Sequence, residues 1–197
     1  IPNSVTSIGE EAFYGSSINI LNIDISGALP DSVTSIGNRA FESSDLTHIH
    51  IPNSVTSIGE GAFTDTMKLS REPSLTFAEN SSLTDISDDA FKRSQLKTIT
   101  IPNSVISIGT SCFGNSALNE IGFESDSSLN SIGSLAFIYT KITTITIPNS
   151  VTSIGTSCFR YSLVEEIIFE QNSSLTSIGI YSFTNATALT TITIPDS

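Results

Sequence analysis

The sequence predicts a solenoid, a tandem array of short β-rich coils stacked on one another, and three observations predict it. A block of the form V/L-x-x-I-G-x-x-A-F recurs eight times, with its Phe at Phe13, Phe41, Phe63, Phe91, Phe113, Phe137, Phe159 and Phe183. Successive Phe are 28, 22, 28, 22, 24, 22 and 24 residues apart, a period characteristic of repeat architectures. The remaining Phe, at 77, 123 and 169, share one slot in the longer coils, so all 11 Phe have a place in the repeat.

The two spacings of 28 read as 24 with insertions, near Ser26-Gly27-Ala28 and near Ser70-Arg71-Glu72-Pro73. The unit is then a pair of coils, 22 plus 24 residues, that differ in their return turn. One type ends Ile99-Thr100-Ile101-Pro102-Asn103-Ser104-Val105. The other ends Ile121-Gly122-Phe123-Glu124-Ser125-Asp126-Ser127-Ser128-Leu129 and lacks the proline.

Each slot has a physical role. Ile99 and Ile101 alternate with Thr98 and Thr100, the period of two that gives a strand one buried face. Pro102 ends the strand because it has no N–H to donate to a ladder. Asn103 and Ser104 carry turn chemistry, with short side chains that bond nearby backbone. Val105 and Ile108 re-enter the core. Gly109 suits either a positive φ or a close approach of neighbouring coils; seven of the eight coils have Gly there, and Ser87 is the exception. The segment through Cys112-Phe113 is predicted to make a single short helical or 3-10 turn, with its Phe plugging the core.

One coil cannot bury its own apolar face, so stability has to come from stacking. About six apolar side chains per coil, at roughly 1.5–3 kcal/mol each when buried, offset the ordering entropy only if both faces are covered. With strands roughly 4.8 Å apart, eight coils make a rod or shallow arc on the order of 40 Å long.

Composition narrows the functional classes. A formal net charge of −12 excludes a nucleic-acid binder, which needs clustered Lys and Arg against phosphate. It equally disfavours an anionic membrane surface, and it keeps a β-rich surface in solution. No apolar run approaches the roughly 18 residues of a membrane span, so this segment is not expected to insert in a membrane, and no secretory signal is seen. The chain starts and stops in the same phase of the repeat, without an initiator Met. It is therefore expected to be a single array over 1–197, excised from a longer protein.

The unit L-x-x-I-x-I-P-x-S-V-x-S-I-G-x-x-A/C-F resembles the BspA-type leucine-rich repeat, and the resemblance covers the whole chain. It implies a leucine-rich-repeat solenoid of the α/β horseshoe class, β-rich and right-handed. The expected array has about eight coils of 22–24 residues, with a parallel sheet on one side and short helical or 3-10 turns. It also implies a protein of the bacterial or protist cell surface, or a secreted one, with roles in adhesion.

Several residues invite a functional reading. Cys112 and Cys158 fill the slot held elsewhere by Ala12, Ala40, Ala62, Ala90 and Ala136. Two coils apart, their α-carbons are expected about 9–10 Å from each other, too far for a disulfide, so they read as buried free thiols. His48 and His50 share one strand face, but their expected neighbours, Ile20, Asn22, Ser74 and Thr76, offer no third metal ligand; Asp24 is the nearest carboxylate. No metal site is expected. The Thr pairs 98/100, 144/146 and 191/193 suggest an ice- or crystal-binding ladder until the intervening Glu120, Gly122, Glu166 and Ile168 are counted, and β-propensity accounts for them. Asn80, Asn172 and Asn185 lie in N-x-S/T sequons, candidate glycosylation sites on turns. Adjacent acids such as Glu10-Glu11, Asp88-Asp89 and Glu165-Glu166 point apart into water, and no nucleophile–base–orienter set can be assembled. Neither an enzyme nor a cofactor is expected.

The sequence thus points to a non-catalytic binding or adhesion module for a protein, or a glycan, of a host or extracellular surface. The candidate face is formed by His48, His50, Thr98, Thr100, Glu120, Thr144, Thr146, Glu166, Thr191 and Thr193. The alternative is a structural or scaffolding subunit of a larger complex.

Overall fold

The structure, a computed structural model, describes residues 1–18, 28–67 and 72–193. The predicted insertion residues Ser26, Gly27, Ser70 and Arg71, and the strand neighbours Ile20, Asn22 and Asp24, lie outside the described residues.

Strands are numbered β1–β15 along the chain. Every Ser-Ile or Asp-Ile pair that precedes the Gly slot is a two-residue strand: Ser7–Ile8 (β1), Ser35–Ile36 (β2), Ser57–Ile58 (β4), Asp85–Ile86 (β6), Ser107–Ile108 (β8), Ser131–Ile132 (β10), Ser153–Ile154 (β12) and Ser177–Ile178 (β14). These eight run parallel, one per coil, in a single ladder. The seven steps between them are the turns of the solenoid.

The second set follows the alternating Ile positions. It comprises His48–Ile51 (β3), Ser74–Phe77 (β5), Thr98–Ile101 (β7), Glu120–Phe123 (β9), Thr144–Ile147 (β11), Glu166–Phe169 (β13) and Thr191–Ile192 (β15). Here the ladder is broken. β3 pairs with β5, β7 with β9, and β11 with β13 and β15, leaving β5 unpaired with β7 and β9 unpaired with β11. The two-coil unit seen in the sequence is a unit of hydrogen bonding in the first two pairs, β3–β5 and β7–β9, whereas β13–β15 crosses its boundary.

Ile, Leu and Val from each coil, with Ala or Cys beside the Phe, form one continuous core. Along it the eight turn Phe stack face to face, with centroids 5.1–5.8 Å apart. From Phe41 to Phe159 they are essentially inaccessible, while Phe13 and Phe183, each with one stacked neighbour, are half-buried.

The short helical or 3-10 turn predicted around each Phe is corrected: among the described residues these segments are turns, without helix. Hydrogen bonding explains why. The N–H of Phe91 donates to Cys112 O (2.8 Å), that of Lys92 returns to Asp89 O (3.0 Å), and that of Arg93 crosses to Gly114 O (2.9 Å). A helix needs consecutive N–H groups to return to its own chain; here alternate ones bind the next coil. The residue before the Ala, Cys or Ser slot and the residue two after the Phe sit at positive φ, between 53° and 62°, in all eight coils. In the first seven both cross to the next coil, as the Phe does; in the eighth Tyr181 and Asn185 keep the same φ without such a bond among the described residues. Gly takes only two of these sixteen positions, Gly15 and Gly61.

The Gly slot is explained by close approach and not by φ. A Cβ on Gly109 would lie 2.5 Å from Asp88 N, and one on Gly37 would lie 2.8 Å from Glu10 N. At the exception, Ser87, the N–H to Ile58 O stretches to 3.2 Å, against 2.9 Å at Gly59 and Gly109.

Polar side chains tie coil to coil. Ser54, Ser104 and Ser150 of the Pro-Asn-Ser turns donate to Val33, Leu83 and Leu129 O of the coil before, at 2.7–2.8 Å. The Glu that follows the strand Phe reaches back to the same turn. Glu124 accepts from Asn103 N–H at 3.0 Å, and Glu170 accepts from Asn149 N–H at 2.9 Å. Both links satisfy turn backbone groups that strand pairing leaves open.

Candidate binding surface

The longer strands gather the outward side chains into one face because successive residues point to opposite sides. Thr98 lies opposite Glu120 and Thr100 opposite Gly122. Thr144, Glu166 and Thr191 line up across β11, β13 and β15, with Thr146 opposite Ile168. All of these Thr and both Glu are exposed. Thr193 lies just past the end of β15, also exposed.

His48 and His50 stand opposite Ser74 and Thr76, two of the four expected neighbours, and on the other side Ala28 is the bridge partner of His50. The Nδ1 of His48 is 2.9 Å from Thr47 Oγ1, and that of His50 is 2.8 Å from Thr76 Oγ1. Each imidazole is engaged with a hydroxyl, and no group of three His, Cys, Asp or Glu with metal-binding geometry occurs among the described residues.

Where β5 and β7 fail to pair, the face opens into a groove of about 400 Å³. Its walls are Leu75 and Phe77 on one strand and Thr98, Ile99 and Thr100 on the other, with Glu120 and Glu124 at its margin. Three of the candidate residues, Thr98, Thr100 and Glu120, therefore line one recess. Leu75, Phe77 and Glu124 were not singled out by sequence reasoning; the Phe slot was visible, but the missing strand pairing that exposes it was not.

The sequon residues Asn80 and Asn172 are exposed on the proline-free return turns at φ 54° and 57°, with Asp126 at 57° in the same position. Asn185 is exposed at φ 59° in a Phe turn. Asn and Asp tolerate this conformation better than most residues, which is a structural reason for their presence. Cys112 and Cys158 are free and fully buried. Burial pushes both thiols far above their ordinary range, so neither is poised as a nucleophile.

A model of the BspA type leucine rich repeat region matches residues 1–82 and 84–197, in six copies. The chain belongs to this family. Among solved structures, the pneumococcal vaccine antigen PcpA is similar over 99% of this chain at 26% identity, with a TM-score of 0.68. A leucine rich cell surface protein from Faecalibacterium prausnitzii is similar over 88% at 29% identity, TM-score 0.63. The T. pallidum leucine rich repeat protein shares the fold over 83% of the chain at 20% identity, TM-score 0.58. No curated protein sequence matches. The BspA-type chain spans 50% of the pneumococcal antigen and 42% of the F. prausnitzii protein. No helix among the described residues is long and apolar enough to cross a membrane.

Proposed function

We propose that this BspA-type array is a cell-surface or secreted recognition module that binds a host or extracellular-matrix partner, protein or glycan, through its longer-strand face. The observation that carries the reading is the groove over β5, β7 and β9, lined by Leu75, Phe77 and Ile99 together with Thr98, Thr100, Glu120 and Glu124. A recess that sets apolar side chains beside a few polar groups suits a protruding side chain, and the carboxylates favour one that carries positive charge. The surface character of the F. prausnitzii protein and the antigen character of PcpA support a surface location for the protein that contains this array.

The test is binding of the chain to a panel of extracellular-matrix proteins and to a glycan array. Glu120→Lys with Glu166→Lys, both exposed, should leave the fold intact by circular dichroism. Binding should fall about tenfold or more if the face makes the contact. Unchanged binding by the folded double variant would remove this face from the account.

A further inference from the structure

We infer that the turn side of coils six and seven is a second docking surface, for an acidic protein that presents an apolar side chain among its carboxylates. The first observation is charge. The Phe turns of the first four coils (9–17, 37–45, 59–67 and 87–95) carry eight Asp and Glu against three Lys and Arg. Those of the last four (109–117, 133–141, 155–163 and 179–187) carry no acid, with Lys141 and Arg160 as their only charges. In a chain of net charge −12, one side of the rod thus changes sign from −5 to +2 along its length.

The second is exposed apolar surface in the same place. Tyr139, Tyr161 and Leu163 are 50%, 36% and 53% exposed. They are not loose. The rings of Tyr139 and Tyr161, one coil apart, stack at 4.8 Å and within 3° of parallel, so their ordering entropy is already spent before a partner arrives.

The third is an uncompensated cation. In the first four coils the turn cations have carboxylates: Arg39 with Glu11 and Glu42, Lys92 with Asp89, Arg93 with Asp65. No carboxylate pairs with Arg160 among the described residues. Its guanidinium lies over the Tyr161 ring, 4.8 Å from the centroid, with a long Nη2–H contact to the Tyr161 hydroxyl (3.4 Å). Its Nε is buried without an acceptor. A carboxylate brought by a partner would give this fork the planar pairing it lacks.

Tyr and Arg are among the side chains that dominate protein–protein contacts. Leu163, 53% exposed beside the stacked rings, is what favours a protein over a saccharide, whose hydroxyls gain nothing against it. The surface is distinct from the longer-strand face, and either can fail without the other.

The probe is an immobilised random copolymer of glutamate and tyrosine, compared with polyglutamate and with hyaluronan. The chain should bind the copolymer most tightly. Arg160→Gln, which keeps the stem, and Tyr139→Ser with Tyr161→Ser should each weaken binding about tenfold, while Glu120→Lys with Glu166→Lys does not. Four results would overturn the inference: no binding to the copolymer; equal binding by folded Arg160→Gln; tighter binding to hyaluronan, which would make this a glycan site; or a sedimentation dimer of the chain abolished by Arg160→Gln, which would make it a self-interface.

Discussion

At Ser111 the backbone holds φ at 53°, with its N–H committed to Ser134 O of the next coil, 2.8 Å away, and its carbonyl accepting from Gly114 N–H. A side chain in the left-handed region costs about 1–3 kcal/mol. Ser111→Gly should therefore raise stability by about 1 kcal/mol, after Gly's own entropic cost, and Ser111→Val should lower it. Denaturant melts that rank the three the other way would refute the strain. The close-approach glycine behaves oppositely: Gly109→Ala should cost about 1–3 kcal/mol, since its Cβ would meet fixed backbone. The two kinds of position were unequally legible. The Gly slot announces itself in seven of eight coils, whereas the left-handed sites hold Glu, Arg, Asp, Ser, Leu, Tyr and Asn, a backbone conformation that leaves no single residue type to read. Glu124 recurs visibly after its Phe, yet its partner, Asn103 N–H, lies 21 residues away and only the stacked coils bring them together.

Among elements, the Phe turns make the largest apolar contribution to the rod. Phe113 is inaccessible and stacked on both faces, by Phe91 and Phe137. Phe113→Ala should cost about 3–5 kcal/mol. Phe183, half-buried and stacked on one face, should cost no more than about half as much when truncated; equal losses would contradict the stacked spine. The alternation of Thr and Ile made the longer strands readable, and β7 and β11 fall on the T-I-T-I segments. The predicted helical turn failed because periodicity reports which side chains are buried and is silent on where alternate N–H groups go. The groove escaped for a related reason. Nothing in Ser74–Phe77 or Thr98–Ile101 marks β5 and β7 as strands that do not pair.

For the molecule as a whole, each coil is a layer whose apolar faces are covered only by the layers beside it, so function and stability are both properties of the stack. The longer-strand row exists because register repeats, and the turn side changes sign because its charges are distributed unevenly over an even scaffold. That charge division was fully present in the sequence; the stacking of Tyr139 on Tyr161 and the lack of a carboxylate for Arg160 needed the coils in place. The most direct test of the layered account is residue-resolved hydrogen exchange of the Phe N–H groups, each of which donates to the following coil from Phe13 through Phe159. Protection should peak at Phe91, Phe113 and Phe137, where coils flank both faces, and decline toward Phe13 and toward Phe183. Equal protection from Phe13 to Phe183 would show that a coil holds its structure without its neighbours, and would contradict the account.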